Sequence, residues 1–103
     1  MGSYRLARRA ESDLEDIWGY TETTWSTEQA EKYLDGLFNC FQSIADGRAK
    51  AKSIDAIRVG YSKTPFVKHN IYFRKAPHHV IEIVRILHVS MDAESHLLSF
   101  EEF

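Results

Sequence analysis

The chain has 103 residues, 44% of them apolar, 13% aromatic and 27% charged, which fits one folded domain and excludes a largely disordered polypeptide. A single cysteine, Cys40, excludes a disulfide framework and suits a reducing cytoplasm. No apolar run is long enough to span a bilayer, and residues 1–10 carry three arginines without the apolar stretch of a secretory leader. The formal net charge of -2 is unevenly spread. Four Lys/Arg stand against nine Asp/Glu over residues 1–47, nine against two over 48–88, and four acids stand alone over 89–103, which predicts a positive surface on whatever residues 48–88 form.

Tyr4-Arg5-Leu6 alternates and is read as an initial strand. A helix follows, with Leu14, Ile17, Trp18, Thr21 and Trp25 on one face and Glu11, Asp13, Glu15, Asp16 and Glu22 largely off it. Its start is poorly marked, because neither Ala7 nor Arg8 caps well. The second helix is better signposted. Ser26-Thr27-Glu28-Gln29 has the capping-box form, Trp25 is placed to staple onto Ala30, and the stripe runs Ala30, Tyr33, Leu34, Leu37, Phe38, Phe41, Ile44, Ala45 to a stop at Asp46-Gly47. The short connection predicts an antiparallel helical hairpin, in which Gly36 permits close packing and Trp18 and Trp25 contribute to the core.

The period then changes. Ile57-Arg58-Val59-Gly60-Tyr61 and Val67 to Arg74 alternate, and Val80 to His88 is nearly continuously apolar, as a central strand is. Turns are predicted at Ser62-Lys63-Thr64-Pro65 and Ala76-Pro77-His78-His79. The order of elements gives an α+β domain, β-α-α-β-β-β, with the helical hairpin on one face of a small, mainly antiparallel sheet. One domain covers residues 1–103: hairpin about 8–46, strand meander about 56–88, tail 89–103. Strict parity puts Val67, His69, Ile71 and Phe73 on one face, with Lys68, Asn70, Tyr72 and Arg74 on the other. In the last strand it groups Ile81, Ile83, Arg85 and Leu87 against Val80, Glu82, Val84, Ile86 and His88. Nothing obvious covers the second face, so apolar area there is left for a partner or for the tail, through Leu97, Leu98 and Phe100.

Five stretches resemble the RelE/ParE superfamily, and more closely its ParE branch. They are Ala10 to Thr21 (AESDLEDIWGYT), Gln29 to Leu34 (QAEKYL), Ile57 to Tyr61 (IRVGY), His69 to Arg74 (HNIYFR) and Ile83 to Asp92 (IVRILHVSMD). The likeness runs from about Tyr4 to Leu97, and its most specific part is the Arg-Ile-Leu-His…Met-Asp ending. The loop Asp46 to Lys52 lacks a proline frequent in the family, and Ala7 stands where an N-cap hydroxyl is usual. The resemblance implies the RelE/ParE-like fold and a cytoplasmic toxin of a type II toxin–antitoxin system that stabilises a plasmid or a chromosomal locus. It implies binding and inhibition of DNA gyrase, and neutralisation by a ParD-type antitoxin whose C-terminal segment wraps the toxin. No enzyme activity, cofactor, metal, membrane or sequence-specific nucleic-acid partner is expected.

Parity, charge and family likeness together nominate Leu6, Trp18, Arg58, Tyr61, Tyr72, Arg74, Arg85 and His88 for antitoxin binding, and Met91, Asp92, His96 and Leu97 for the target. Asp92 also reads as the cap of a short final helical turn. Arg85, in the most apolar strand, needs an anion, and Glu82, the antitoxin or the C-terminal carboxylate could serve. Asp13 reads as a solvated early-helix acid, Cys40 as a packing residue and His78-His79 as a solvated turn. The alternative is the sister activity, a RelE-like ribosome-dependent mRNA endoribonuclease using His88, Arg85 and Arg74, with His96 and Glu82 nearby. A slightly acidic chain without a basic cluster after His88 weighs against it.

Overall fold

The computed structural model describes residues 2–98. The chain begins with strand β1 (Ser3–Leu6) and the helices α1 (Arg8–Thr24) and α2 (Thr27–Ala45), as the hydrophobic periods predict. Strands β2 (Lys52–Ser53), β3 (Tyr61–Phe66), β4 (His69–Lys75) and β5 (Val80–His88) follow, and a short helix α3 (Ala93–Leu98) closes the described chain. One sheet runs in the order β1-β5-β4-β3-β2, with β1 parallel to β5 and the other pairs antiparallel.

Local chemistry sets the helix ends. Ser26 Oγ accepts the Gln29 N–H at 3.1 Å, satisfying one orphan donor of α2. Gly47 sits at φ +76, where the Arg48 N–H reaches Ser43 O (2.9 Å) and the Gly47 N–H reaches Ile44 O (3.1 Å). That paired geometry closes a helix through a left-handed residue. Asp46 then ties in the chain start: its Oδ1 accepts from the Gly2 N–H at 2.8 Å and the Gln42 amide at 2.9 Å, and its Oδ2 from Arg48 at 2.9 Å. These donors, Gly2 first, hold the carboxyl down to about 2. Ala7 begins α1 with no side-chain cap, as its residue type predicts.

Trp25 departs from the expected hairpin core: it is 70% exposed, and Ala30 is buried without it. Trp25 is the C-cap of α1, with ψ at -80, so the helical period no longer sets where its ring goes. Gly36 has a different use from the expected one. A Cβ there would lie 2.6 Å from Phe66 Cζ, and its three nearest neighbours would all be atoms of that ring, so the glycine admits the β3 ring against α2.

The strand boundaries shift from the expected ones. Residues 54–60 are a turn, in which Ile54 O accepts from both the Ile57 and Arg58 N–H groups at 2.8 Å. The predicted turn Ser62 to Pro65 is the body of β3. Pro65 is tolerated there because β2 pairs only with Ser62 and Lys63, leaving that outer edge without a ladder to complete. The reversal falls at Val67-Lys68, between Phe66 and its partner His69, and Val67 takes φ 52 without help from Gly or Asn.

The β5 parity is corrected as well. Phe73 pairs with Ile83 and Tyr72 with Arg85, so Val84 is an extra residue, a bulge that reverses the alternation. Ile86 therefore joins Ile81 and Ile83 in the core beneath the helices, with Ala10, Leu14, Ile17, Leu37 and Phe41. Leu87 joins Val84 on the other face, in a second cluster with Ile54, Tyr61, Tyr72 and Leu97. That face is thus partly covered, by the 54–60 turn and α3; Phe100 and the side chain of Leu98 lie outside the described residues.

Gly36→Ala should test the helix–sheet contact. Helix propensity favours alanine by roughly 1 kcal/mol, but the overlap with Phe66 costs about 1–3 kcal/mol. The single change should therefore be neutral to destabilising in urea unfolding, and should turn stabilising in a Phe66→Leu background.

Candidate functional site

The most constrained polar contact joins α1 to the bulge in β5. Asp13 Oδ2 accepts from Arg85 Nε (2.8 Å) and from the Ile86 N–H (2.9 Å), while Oδ1 accepts from Arg85 Nη2 (3.0 Å). The two side chains are only 9% and 12% exposed. β1 stops pairing with β5 at Leu6–Ile83, and beyond that point the Asp13 carboxylate takes the Ile86 N–H. Asp13 is therefore an internal anion and not a solvated acid, and it is the partner Arg85 requires. The C-terminal carboxylate, once a candidate for that place, lies outside the described residues. Arg85 Nη1 is buried with no partner among the described residues.

Glu82 has a different task. It stands opposite Arg5 in β1 and Arg74 in β4, accepting from Arg5 Nε at 3.1 Å and Arg74 Nε at 2.8 Å. The carboxylate is 10% exposed while the arginines are 52% and 33% exposed, so this ladder on the face away from the helices presents net positive charge to solvent.

A histidine pair marks the far end of the same strands. His69 and His88 are register partners with ring centroids 5.4 Å apart, edge to face. Tyr33 Oη of α2 lies 2.6 Å from His69 Nδ1. The same hydroxyl accepts the Lys68 N–H at 3.4 Å and lies 3.4 Å from Phe66 O. Burial, followed by the neighbouring His88, pushes the His69 pKa below its usual 6.5. His88 Nδ1 accepts the Ser90 N–H at 3.1 Å, with Ser90 Oγ at 2.7 Å.

The nominated residues do not share one surface. Leu6 packs half-buried against the helix-side core, and Trp18 lines a shallow groove between α1 and α2 with Leu14, Glu15 and Leu34. Tyr61 and Tyr72 are enclosed in the second cluster. Arg58 lies over the Tyr61 ring at 5.0 Å and donates to Leu97 O at 3.1 Å. Leu97 itself is fully buried in the second cluster, where it packs back on the sheet as the tail reading expects, so its side chain is not open to a target. Met91 is exposed. Asp92 caps α3, accepting the Ser95 hydroxyl (2.6 Å) and the Glu94 N–H (3.1 Å); the donors of Ser95 first, and then Glu94, lower its pKa. His96 Nδ1 lies 2.8 Å from Asp92 O.

The three residues of the nuclease alternative are likewise apart. Arg85 is buried on Asp13, Arg74 is held by Glu82, and Arg74 stands five positions along β4 from the level of His69 and His88, roughly 17 Å of strand. Among the described residues no three His, Cys, Asp or Glu side chains gather as a metal site. Cys40 packs half-buried on the helix-side core, and burial raises its thiol pKa.

The family model described as the ParE toxin of the type II toxin–antitoxin system parDE matches residues 4–93. A relative called Toxin ParE1 from Caulobacter vibrioides is 38% identical over 97 residues, covering 94% of this chain and 99% of its own. A Toxin ParE1 from Mycobacterium tuberculosis is 34% identical over 94 residues, covering 91% and 96%. Among solved structures, a chain of the chromosomal ParDE TA system from P. aeruginosa superposes with a TM-score of 0.71 at 22% identity, covering 87% of this chain and 98% of that one.

Asp13→Ala should cost about 3–5 kcal/mol, because it strands a buried guanidinium, and Arg85→Met in the same background should recover much of that loss in urea unfolding. The lowered His69 pKa fixes a second sign. The folded state favours neutral His69, so its contribution is fully present above pH 6.5 and is lost as pH falls through the lowered folded-state value. Between about pH 7 and 5, His69→Gln should flatten the fall in urea midpoint seen in the parent chain.

Proposed function

Because the chain belongs to the ParE toxin family of type II toxin–antitoxin systems, we propose that it inhibits DNA gyrase by binding and is neutralised by a ParD-type antitoxin. In this reading it acts in the cytoplasm, where gyrase and its DNA are, and serves the maintenance of a plasmid or a chromosomal locus. It does so by adhesion and breaks no bond.

The observation that carries the reading is the separation of the cations and bases that RNA cleavage would have to bring together. Cleavage needs a base, an acid and positive charge converging on one phosphate. Here Arg85 is committed to Asp13 and Arg74 to Glu82, and His88 stands at the far end of the ladder.

A wrapping antitoxin segment finds complementary chemistry on both sides of the molecule. The groove of Leu14, Trp18 and Leu34 suits an apolar side chain of an amphipathic segment. The excess positive charge of Arg5 and Arg74 over Glu82, with Arg58 nearby in the second cluster, suits acidic residues of the same segment. Met91, Asp92 and His96 around the start of α3 are the surface assigned to gyrase.

Inducible expression with supercoiling and translation followed in parallel tests the proposal. Supercoiling should fall, cleavage complexes should accumulate and cells should filament while messenger RNA stays intact. Rapid loss of messenger RNA that His88→Ala abolishes would instead establish the nuclease. Trp18→Ala should weaken antitoxin binding at least about tenfold, as a lost aromatic anchor does, and leave gyrase inhibition by the free toxin unchanged.

A further inference from the structure

The contacts described so far leave the β2–β3 edge of the sheet unassigned. Lys50, Lys52 and Lys63, with Ala51, Pro65 and Asn70, line a shallow depression there. Lys52 and Lys63 are direct cross-strand partners, so their side chains leave the sheet on the same face. Lys50 precedes Lys52 by two residues, and its backbone is pinned where Thr64, a buried residue of β3, donates its hydroxyl to Lys50 O at 3.0 Å. Like charges placed directly opposite destabilise a sheet. Among the described residues no carboxylate ion-pairs with any of the three lysines, and none lines the depression. The fold thus carries a repulsion that an external anion would relieve.

The lining distinguishes between anions. A peptide partner draws its affinity from aromatic or aliphatic anchors seated in pockets, and here the only apolar residues are Ala51 and Pro65. Lysines are compact point charges without the planar fork that matches a carboxylate. A phosphate backbone asks for no more than several such charges and a neutral donor; Asn70 lines the depression, and its amide, one of whose two N–H groups serves the Tyr72 hydroxyl, keeps a second N–H to donate. We propose that this depression holds the phosphate backbone of DNA without regard to sequence, so that the toxin grips the DNA of its target complex while another surface contacts gyrase. The proposal rests on the gyrase reading for its biological setting, though not for its test.

The experiment compares the full chain with a Lys50→Gln, Lys52→Gln, Lys63→Gln variant by fluorescence anisotropy on a short duplex of arbitrary sequence, over a series of salt concentrations. The variant should lose at least about tenfold in affinity, and its logarithmic salt slope should flatten by roughly 0.9 for each lysine that engages a phosphate. Its thermal midpoint should be unchanged or raised, because the repulsion is gone. In parallel, the variant should bind gyrase normally without DNA but trap fewer cleavage complexes. Equal DNA affinity and salt slope for the two proteins would overturn the proposal. So would polyglutamate displacing the duplex at equal charge, which would make the depression a site for acidic peptide. If the parent chain leaves gyrase untouched, the gyrase reading fails, while the anisotropy still decides whether this edge binds DNA.

Discussion

The carboxylate of Asp13 is the contact on which the rest of the architecture turns. It satisfies two groups at one place: the guanidinium of Arg85 and the N–H of Ile86, which lies on the edge of β5 beyond the last residue that β1 pairs. A buried ion pair is weak evidence for net stability, since desolvation offsets much of its attraction. Its effect here is on register. The bulge at Val84 reverses which side chains face the helices, and a one-residue change of parity moves a whole apolar set from one face to the other. Asp13 binds the residue directly after that reversal.

Both hydrophobic clusters follow from that reversal. Without the extra residue, Ile86 would leave the core under the helical hairpin and Leu87 would enter it. With it, Ile86 packs beneath the helices and Leu87 lines the second cluster with Val84, Tyr72 and Tyr61. That second cluster is what receives Leu97 of α3, and Arg58 closes over it by bonding Leu97 O. The short terminal helix α3 thus packs on a face whose apolar residues are set by the bulge that Asp13 adjoins.

Features set by neighbours in sequence were legible from it. The cap at Ser26 and the stop at Gly47 depend on residues three to five positions away, and both fall where residue type places them. The hairpin between β3 and β4 was not, because its turn is Val67-Lys68, with Val67 at a positive φ that carries no compositional mark, while Ser62 to Pro65 has the composition of a turn and the pairing of a strand. The bulge was illegible for another reason: the acid bound to Arg85 beside it stands 72 residues away. A signal for it existed nonetheless. Asp13 falls on the stripe of Ala10, Leu14 and Ile17, all buried, so an acid on the inward face of α1 and an arginine inside the most apolar strand each required a partner of the other's charge. Among the nominated surface residues, Trp18, Arg58 and Arg74 keep an exposed fraction, while Tyr72, Arg85 and Leu97 were drawn inside by the same two-sided burial of β5.

The positive charge of the middle segment divides by residue type. Arg48 pairs with Asp46, Arg74 with Glu82 and Arg85 with Asp13, and Arg58 bonds Leu97 O above the Tyr61 ring. Each arginine makes a contact within the chain, and Arg85 does so with two nitrogens of its planar fork, which is what a delocalised guanidinium does better than an ammonium. The lysines are left over. Lys50, Lys52 and Lys63 carry their charge outward at one sheet edge, where lysine also discourages the edge from pairing with another chain. Edge protection needs only isolated charges, however, and would be served as well by lysines on alternating faces. Placing two of them directly opposite each other, with a third beside them, adds a repulsion that protection does not require. A ligand bearing regularly spaced negative charge accounts for both the exposure and the crowding.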